Sequence, residues 1–253
     1  MSDYDHAAHS GLAASGLQVW GLPAQGTQIV IEKSTWEGGT MLTYILMLLV
    51  ILSASIHIRA EYRGPRQSVY IFKPLTMVFI WLIAILGQAA SPFYKYMIIT
   101  GLVFSLAGDV FLMLPSDRFV TGLVAFLIAH FFYSAAFASE ISALIWWPLI
   151  PFVIYGIVIY IILVPSLGKL KLPVLIYVVV ILIMGWLAWE RWIQTGQSGA
   201  LLASIGAVLF IISDTILAID RFRGAFKLSR ALNLTTYFAA QLLIAGSVGT
   251  LVF

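Results

Sequence analysis

The run GLVFSLAGDVFLML (Gly101–Leu114) sets a charge, Asp109, in the middle of an otherwise apolar segment. A second run, GAVLFIISDTILAI (Gly206–Ile219), does the same with Asp214. Each aspartate stands eight residues after a glycine and directly after a small residue, Gly108 or Ser213. A charge near the centre of a membrane helix costs about 2.5–3.5 kcal/mol on insertion scales, so such residues face a polar interior and mark function. One buried aspartate could be paired purely for packing. Two in matching contexts point to a site.

Composition fixes the class around these runs. Hydrophobic residues make up 61% of the chain and charged residues 10%, and the mean hydropathy is +1.00. A water-facing domain needs roughly 25% charged residues, so the chain reads as an all-α, polytopic membrane protein. The net charge of +3 does not indicate nucleic acid, because the basic residues are scattered through short loops rather than gathered in a patch. With no cysteine, disulfides, thiolate nucleophiles and cysteine-based metal sites are excluded.

A membrane span needs about 20 mostly apolar residues. The hydropathy pattern predicts an eight-helix bundle over 41–253, with spans at 41–58, 72–89, 94–114, 119–138, 142–163, 172–190, 200–219 and 233–253. Short links such as PSDRF (Pro115–Phe119) make sequential helices antiparallel neighbours. Eleven of the fourteen basic residues fall in the odd loops, from Arg59 through Arg118 and Lys169 to Arg230. By the positive-inside bias the odd loops are expected in the cytoplasm and both termini outside, in a bacterial inner membrane or the endoplasmic reticulum. Trp146, Trp147, Trp189 and Trp192 fall where an outer aromatic belt would lie. Residues 1–40 are polar and rich in Gly, Ala and Ser, with no basic stretch before an apolar run as in a cleavable signal. They are expected to be disordered and outside the membrane, apart from TQIVIE (Thr27–Glu32), which alternates like a short isolated strand.

Aligning 101–114 with 206–219 gives identities at Gly101/Gly206, Val103/Val208, Asp109/Asp214 and Leu112/Leu217. The two spans are four helices apart and cross in the same direction, which suits an internal 4+4 parallel repeat. Both aspartates then lie at one depth, roughly 7 Å from the cytoplasmic boundary at 1.5 Å rise per residue. They are expected to face a single cavity open to that leaflet. Gly101, Ser105, Gly108 and Asp109 form one small-and-polar stripe on span three, to which a helix or a lipid chain can approach closely. His130 and Tyr133 share a face of span four. Asn233, Tyr237 and Gln241 share a face of span eight. Lys73 enters span two from the cytoplasmic side, with Pro74 in the first turn. His130, Tyr133 and Tyr237 could equally be packing residues, and Lys73 a snorkelling anchor. Asp117, Glu140, Glu190 and Asp220 read as turn, boundary or helix-end charges.

The sequence has no GxSxG elbow, no paired histidines for a metal and no glycine-rich phosphate loop. No metal or cofactor is expected. Two carboxyls with tyrosine, histidine and lysine helpers suit acid–base hydrolysis, or a proton relay.

The run G-L-V-F-S-x-x-G-D-x-F-L (Gly101–Leu112) is followed by F-x-x-G-L-x-x-F-x-x-x-H-F-F-Y-x-x-A-F (Phe119–Phe137). Further on come F-I-I-S-D-x-x-L-A (Phe210–Ala218) and S-R-A-L-x-x-x-T-Y-x-x-A-Q-x-L-I-A (Ser229–Ala245). Together with Lys-x-Leu at Lys73–Leu75, these motifs resemble the lysoplasmalogenase family of YhhN-like membrane proteins, over about 41–253. Asp220 stands where that family is expected often to have a neutral amide. The resemblance implies an eight-span hydrolase that cleaves the vinyl ether of lysoplasmalogens, lysophospholipids with an ethanolamine or choline headgroup, to a fatty aldehyde and a glycerophospho-alcohol.

The residues fit that chemistry. A vinyl ether is cleaved by protonating its β-carbon, and water captures the resulting oxocarbenium ion. That requires one carboxylic acid and one carboxylate, the division of labour of glycosidases. Asp109 and Asp214 are the candidate catalytic pair, with Lys73, Ser105, His130, Tyr133, Tyr237 and Gln241 binding substrate or supporting. Lys73 is expected to take the substrate phosphate, and the alkyl tail to run toward Gly101 and Gly206. The alternative is a proton-coupled carrier of lipids or small molecules using the same pair.

Overall fold

The computed structural model describes the backbone of residues 25–249 and side chains from residue 41. The disorder expected for residues 1–24 and the end of the eighth span, 250–253, lie outside the described residues. The chain divides into two compact units, Met1–Gly38 and Gly39–Phe253, and the second holds every candidate site residue.

The described residues are helical, with no strand among them: α1 Gln25–Arg63, α2 Arg66–Leu86, α3 Pro92–Met113, α4 Phe119–Ala138, α5 Leu149–Leu163, α6 Lys171–Thr195, α7 Ser198–Phe222 and α8 Ser229–Gly246. Residues 25–40, expected as disorder with one short strand, are helical backbone instead. An isolated strand leaves its N–H and C=O groups unpaired, whereas a helix satisfies them internally.

Seven helices among the described residues are long and apolar enough to cross a membrane, from Met41–Arg63 to Ser198–Phe222. The chain is thus a polytopic helical membrane protein. The eighth helix, α8, has 18 residues and carries Asn233, Thr236, Tyr237 and Gln241, so its composition alone does not mark it as a span.

Two helix starts, those of α2 and α5, depart furthest from the hydropathy reading. The fifth span begins at Leu149 rather than 142, because polar side chains near the end of α6 hold the preceding stretch in turns. Glu190 accepts from the Ile145 N–H (2.9 Å), and Gln194 accepts from the Ser142 N–H (3.0 Å). Arg191 donates through Nε to Glu140 (2.9 Å). Glu140 and Glu190 therefore close the bundle at this end. The second span begins at Arg66, which puts Pro74 inside α2 rather than in its first turn. Its missing N–H leaves the Tyr70 carbonyl without its helical donor.

Helix neighbours form a closed circuit: α2 packs on α3, α3 on α4, α4 on α6, α6 on α7, α7 on α8 and α8 on α2. α5 lies against α6 and α7. α1 touches the circuit through a Ser53–Thr76 hydrogen bond (2.9 Å) and the His57 ring edge-on to Phe238. The interior is aromatic: Phe126, Tyr133, Phe210 and Tyr237 are all buried and meet at tilted or edge-on angles. α3 admits this cluster because its small residues leave room. A Cβ at Gly108 would come within 2.6 Å of the Phe126 ring, and one at Gly101 would collide with Tyr133.

Candidate functional site

Asp109 is buried on α3, 1% exposed. A carboxylate at such a place needs a cation or several donors, and both are present. Lys73 Nζ lies 3.0 Å from Oδ1, and the Tyr237 hydroxyl donates to Oδ2 at 2.6 Å. One turn further into α3 a neutral network follows. The Ser105 and Tyr133 hydroxyls are 3.2 Å apart, and Tyr133 donates to Gln241 Oε1 at 2.9 Å. Thus Lys73, Ser105, Asp109, Tyr133, Tyr237 and Gln241, from four separate helices, form two hydrogen-bonded groups, Lys73–Asp109–Tyr237 and Ser105–Tyr133–Gln241.

Asp214 on α7 has different company. The Tyr177 hydroxyl of α6 donates to its Oδ2, and no cation pairs with it among the described residues. The neighbouring Thr215 hydroxyl meets Tyr155 at 2.8 Å. Asp214 lines a narrow cavity of about 60 Å³ walled by apolar side chains of α4, α5, α6 and α7, among them Phe126, Leu163, Ile181 and Phe222. Its walls at Phe119, Leu163, Val174 and Phe222 place it at the odd-loop end of the helices.

The single shared cavity expected from the sequence is divided. Asp109 is not among the residues lining the Asp214 cavity; Phe126, which does line it, packs edge-on against Tyr237, the donor to Asp109. The reason is steric, since Gly108 next to Asp109 lets the Phe126 ring sit against α3. The same fit closes the stripe along which the alkyl tail was expected. Tyr133 and Phe126 occupy the space over Gly101 and Gly108, so the stripe is a helix-packing seam. Lys73, expected at the headgroup, is turned toward Asp109 and only 12% exposed. The buried carboxylate draws it in, although it still lines two polar cavities at the odd-loop end.

His130 joins neither carboxyl by a hydrogen bond. It is fully buried, edge-on to Phe210 (4.8 Å) and Tyr177 (5.2 Å), and neither ring nitrogen has a hydrogen-bond partner among the described residues. Through Tyr177 it touches the Asp214 site. Among the described residues no three His, Asp or Glu side chains are placed to share a metal ion.

Tyr177 was missed, although a signal existed. It stands 37 residues before Asp214, and Lys73 stands 36 before Asp109. Tyr133 and Tyr237 are likewise 104 apart, against 105 for the two aspartates. Lysine and tyrosine do not look alike, so the matched positions are invisible to an identity count. Asp220, read as a helix-end charge, lines a polar cavity together with Lys73.

The model of the YhhN family matches residues 68–248, which hold all of these side chains. This chain belongs to the YhhN family. A membrane protein of Escherichia coli O6:H1 bearing that family's name is 32% identical over 202 residues, covering 79% of this chain and 97% of the relative. The lysoplasmalogenase TMEM86A of Bos taurus is 39% identical over 153 residues, 58% of this chain and 63% of that protein. The lysoplasmalogenase TMEM86B of Homo sapiens is 34% identical over 176 residues, 66% of this chain and 67% of that protein. No solved structure matches the YhhN-family chain.

Proposed function

We propose that this YhhN-family protein is a lysoplasmalogenase, hydrolysing the vinyl ether of a lysophospholipid with Asp109 and Asp214 as the working carboxyls. The observation that carries the reading is the contrast between them: one is ion-paired with Lys73, the other meets only a phenol in an apolar cavity. The relatives named lysoplasmalogenase, 34–39% identical, support the same reaction class.

In this mechanism the aliphatic end of the substrate enters the cavity beside Asp214. Asp214 gives its proton to the β-carbon of the vinyl ether, the C=C π pair forms the new C–H bond, and an oxocarbenium ion is left. Water adds to the cationic carbon and loses a proton to the Asp214 carboxylate, which restores the acid. The hemiacetal then passes its hydroxyl proton to the ether oxygen and collapses to aldehyde and alcohol. Lys73 keeps Asp109 ionised, and that fixed negative charge favours the cation. Tyr177 and Tyr237 orient the two carboxyls. The matched positions of Lys73 and Tyr177, and the circuit of helices that maps onto itself when each is advanced by four, support an eight-span 4+4 repeat in which the halves have diverged. The cytoplasmic placing of the odd loops rests on their basic residues.

The test is aldehyde release by purified protein. A lysoplasmalogen should yield aldehyde, and the saturated alkyl analogue, which cannot form the oxocarbenium by protonation, should yield none. Absence of aldehyde together with proton-driven uptake into vesicles would establish the carrier reading instead.

A further inference from the structure

A cavity of about 270 Å³ opens at the odd-loop end, with walls from α1, α2, α3, α4, α7 and α8. Its walls carry charges of both signs, and most are already matched. Arg221 pairs with Asp117, Arg230 with Glu61 at 3.4 Å, and Lys73 with Asp109 at 3.0 Å. Two are left over. Asp220 accepts only from the Ser229 hydroxyl and has no cation partner among the described residues. Arg118 donates only to the Ser116 hydroxyl (3.3 Å) and has no carboxylate partner among them. The cavity therefore presents one unmatched anion and one unmatched cation.

We propose that this cavity binds the headgroup of a zwitterionic lysophospholipid, with the Arg118 guanidinium taking the phosphate and the Asp220 carboxylate taking the ammonium. The proposal rests on the lysolipid reading above and adds the residues that select the headgroup. Arg118 suits the anionic pole, because a guanidinium binds phosphate oxygens bidentately. Asp220 suits the cationic pole, because the Ser229 hydroxyl fixes one oxygen and leaves the other for a ligand. Lys73 is engaged by Asp109 and is not needed for the phosphate. A headgroup so held lies at the end of the helices where the apolar cavity beside Asp214 also opens, and Leu112, Phe119 and Leu217 line both cavities. A lipid can thus span from charged to apolar walls without leaving the protein.

The experiment measures binding of two uncleavable lipids to the full chain in lipid nanodiscs: 1-O-alkyl-lysophosphocholine and 1-O-alkyl-glycerol-3-phosphate. The wild type should prefer the choline lipid. Asp220→Asn should weaken that lipid about fivefold, the worth of one modest ion pair, and leave the phosphate lipid unchanged. Asp220→Glu should keep the preference, which separates charge from fold. Arg118→Gln should weaken both lipids. If the wild type binds both lipids but Asp220→Asn does not alter their ratio, or weakens both equally, the headgroup assignment is overturned while the lysolipid reading stands. If neither lipid binds the wild type, both are overturned.

Discussion

Asp109 and Asp214 occupy matching places on helices four apart, yet their surroundings differ in kind. Asp109 is sealed in, 1% exposed, between a lysine and a tyrosine. Asp214 is half-buried at the edge of an apolar cavity, with Tyr177 where the other half of the chain has Lys73. In the proposed mechanism this difference in partners separates a fixed charge at Asp109 from an available acid at Asp214. Two identical side chains can then take two roles, as in glycosidases.

The largest effect should come from neutralising either carboxyl. Asp109→Asn and Asp214→Asn are each expected to lower turnover at least about a hundredfold, the lower end of an acid–base contribution. Aldehyde release under saturating substrate checks this, and near-normal turnover in either variant would return that residue to a structural part. Next comes the ion pair. Lys73→Met should cost about 3–5 kcal/mol by leaving Asp109 uncompensated, and adding Asp109→Asn should recover most of that loss in a thermal unfolding series. Tyr177→Phe removes only a hydroxyl. About 1–3 kcal/mol is then expected, and a cost equal to that of Lys73→Met would erase the asymmetry between the halves. Gly108→Ala should cost a comparable 1–3 kcal/mol or so, since its Cβ meets the Phe126 ring.

The smallest effect belongs to Asp117, where hydrogen bonds from Arg221 and from the Phe119 N–H hold the carboxyl below its usual range. A lowered folded value means its contribution is present above the unfolded value and disappears as pH falls through the folded one. Being exposed at the surface, it should shift the unfolding temperature very little at any pH. A clear loss of stability in Asp117→Asn at neutral pH would show that the mouth of the charged cavity is more constrained than its exposure suggests.

The helical membrane class was legible because apolar runs of span length leave few alternatives, and α4 falls on its expected bounds, 119–138. The start of α5 was not, since IWWP reads as apolar while Glu190 and Gln194, some fifty residues away, hold it in turns. Much of the candidate cluster was legible too: polar residues at helical spacing on α3, α4 and α8 do converge. What stayed hidden depended on neighbours. The filling of the Gly101–Gly108 stripe by rings from α4 could not be read from α3 alone, nor could the inward turn of Lys73. Asp220 stands out as unpaired among the described residues only when each charge around one cavity is matched against the others.

The central claim, protonation of a vinyl-ether carbon at the Asp214 site, is tested most directly by single turnover of a lysoplasmalogen in D₂O with mass analysis of the aldehyde. The account predicts one deuterium on the carbon next to the aldehyde group, above the exchange seen with added unlabelled aldehyde. It also predicts that Asp214→Asn yields almost no labelled product. Unlabelled aldehyde from the wild type, or labelled aldehyde at the wild-type rate from Asp214→Asn, would contradict it.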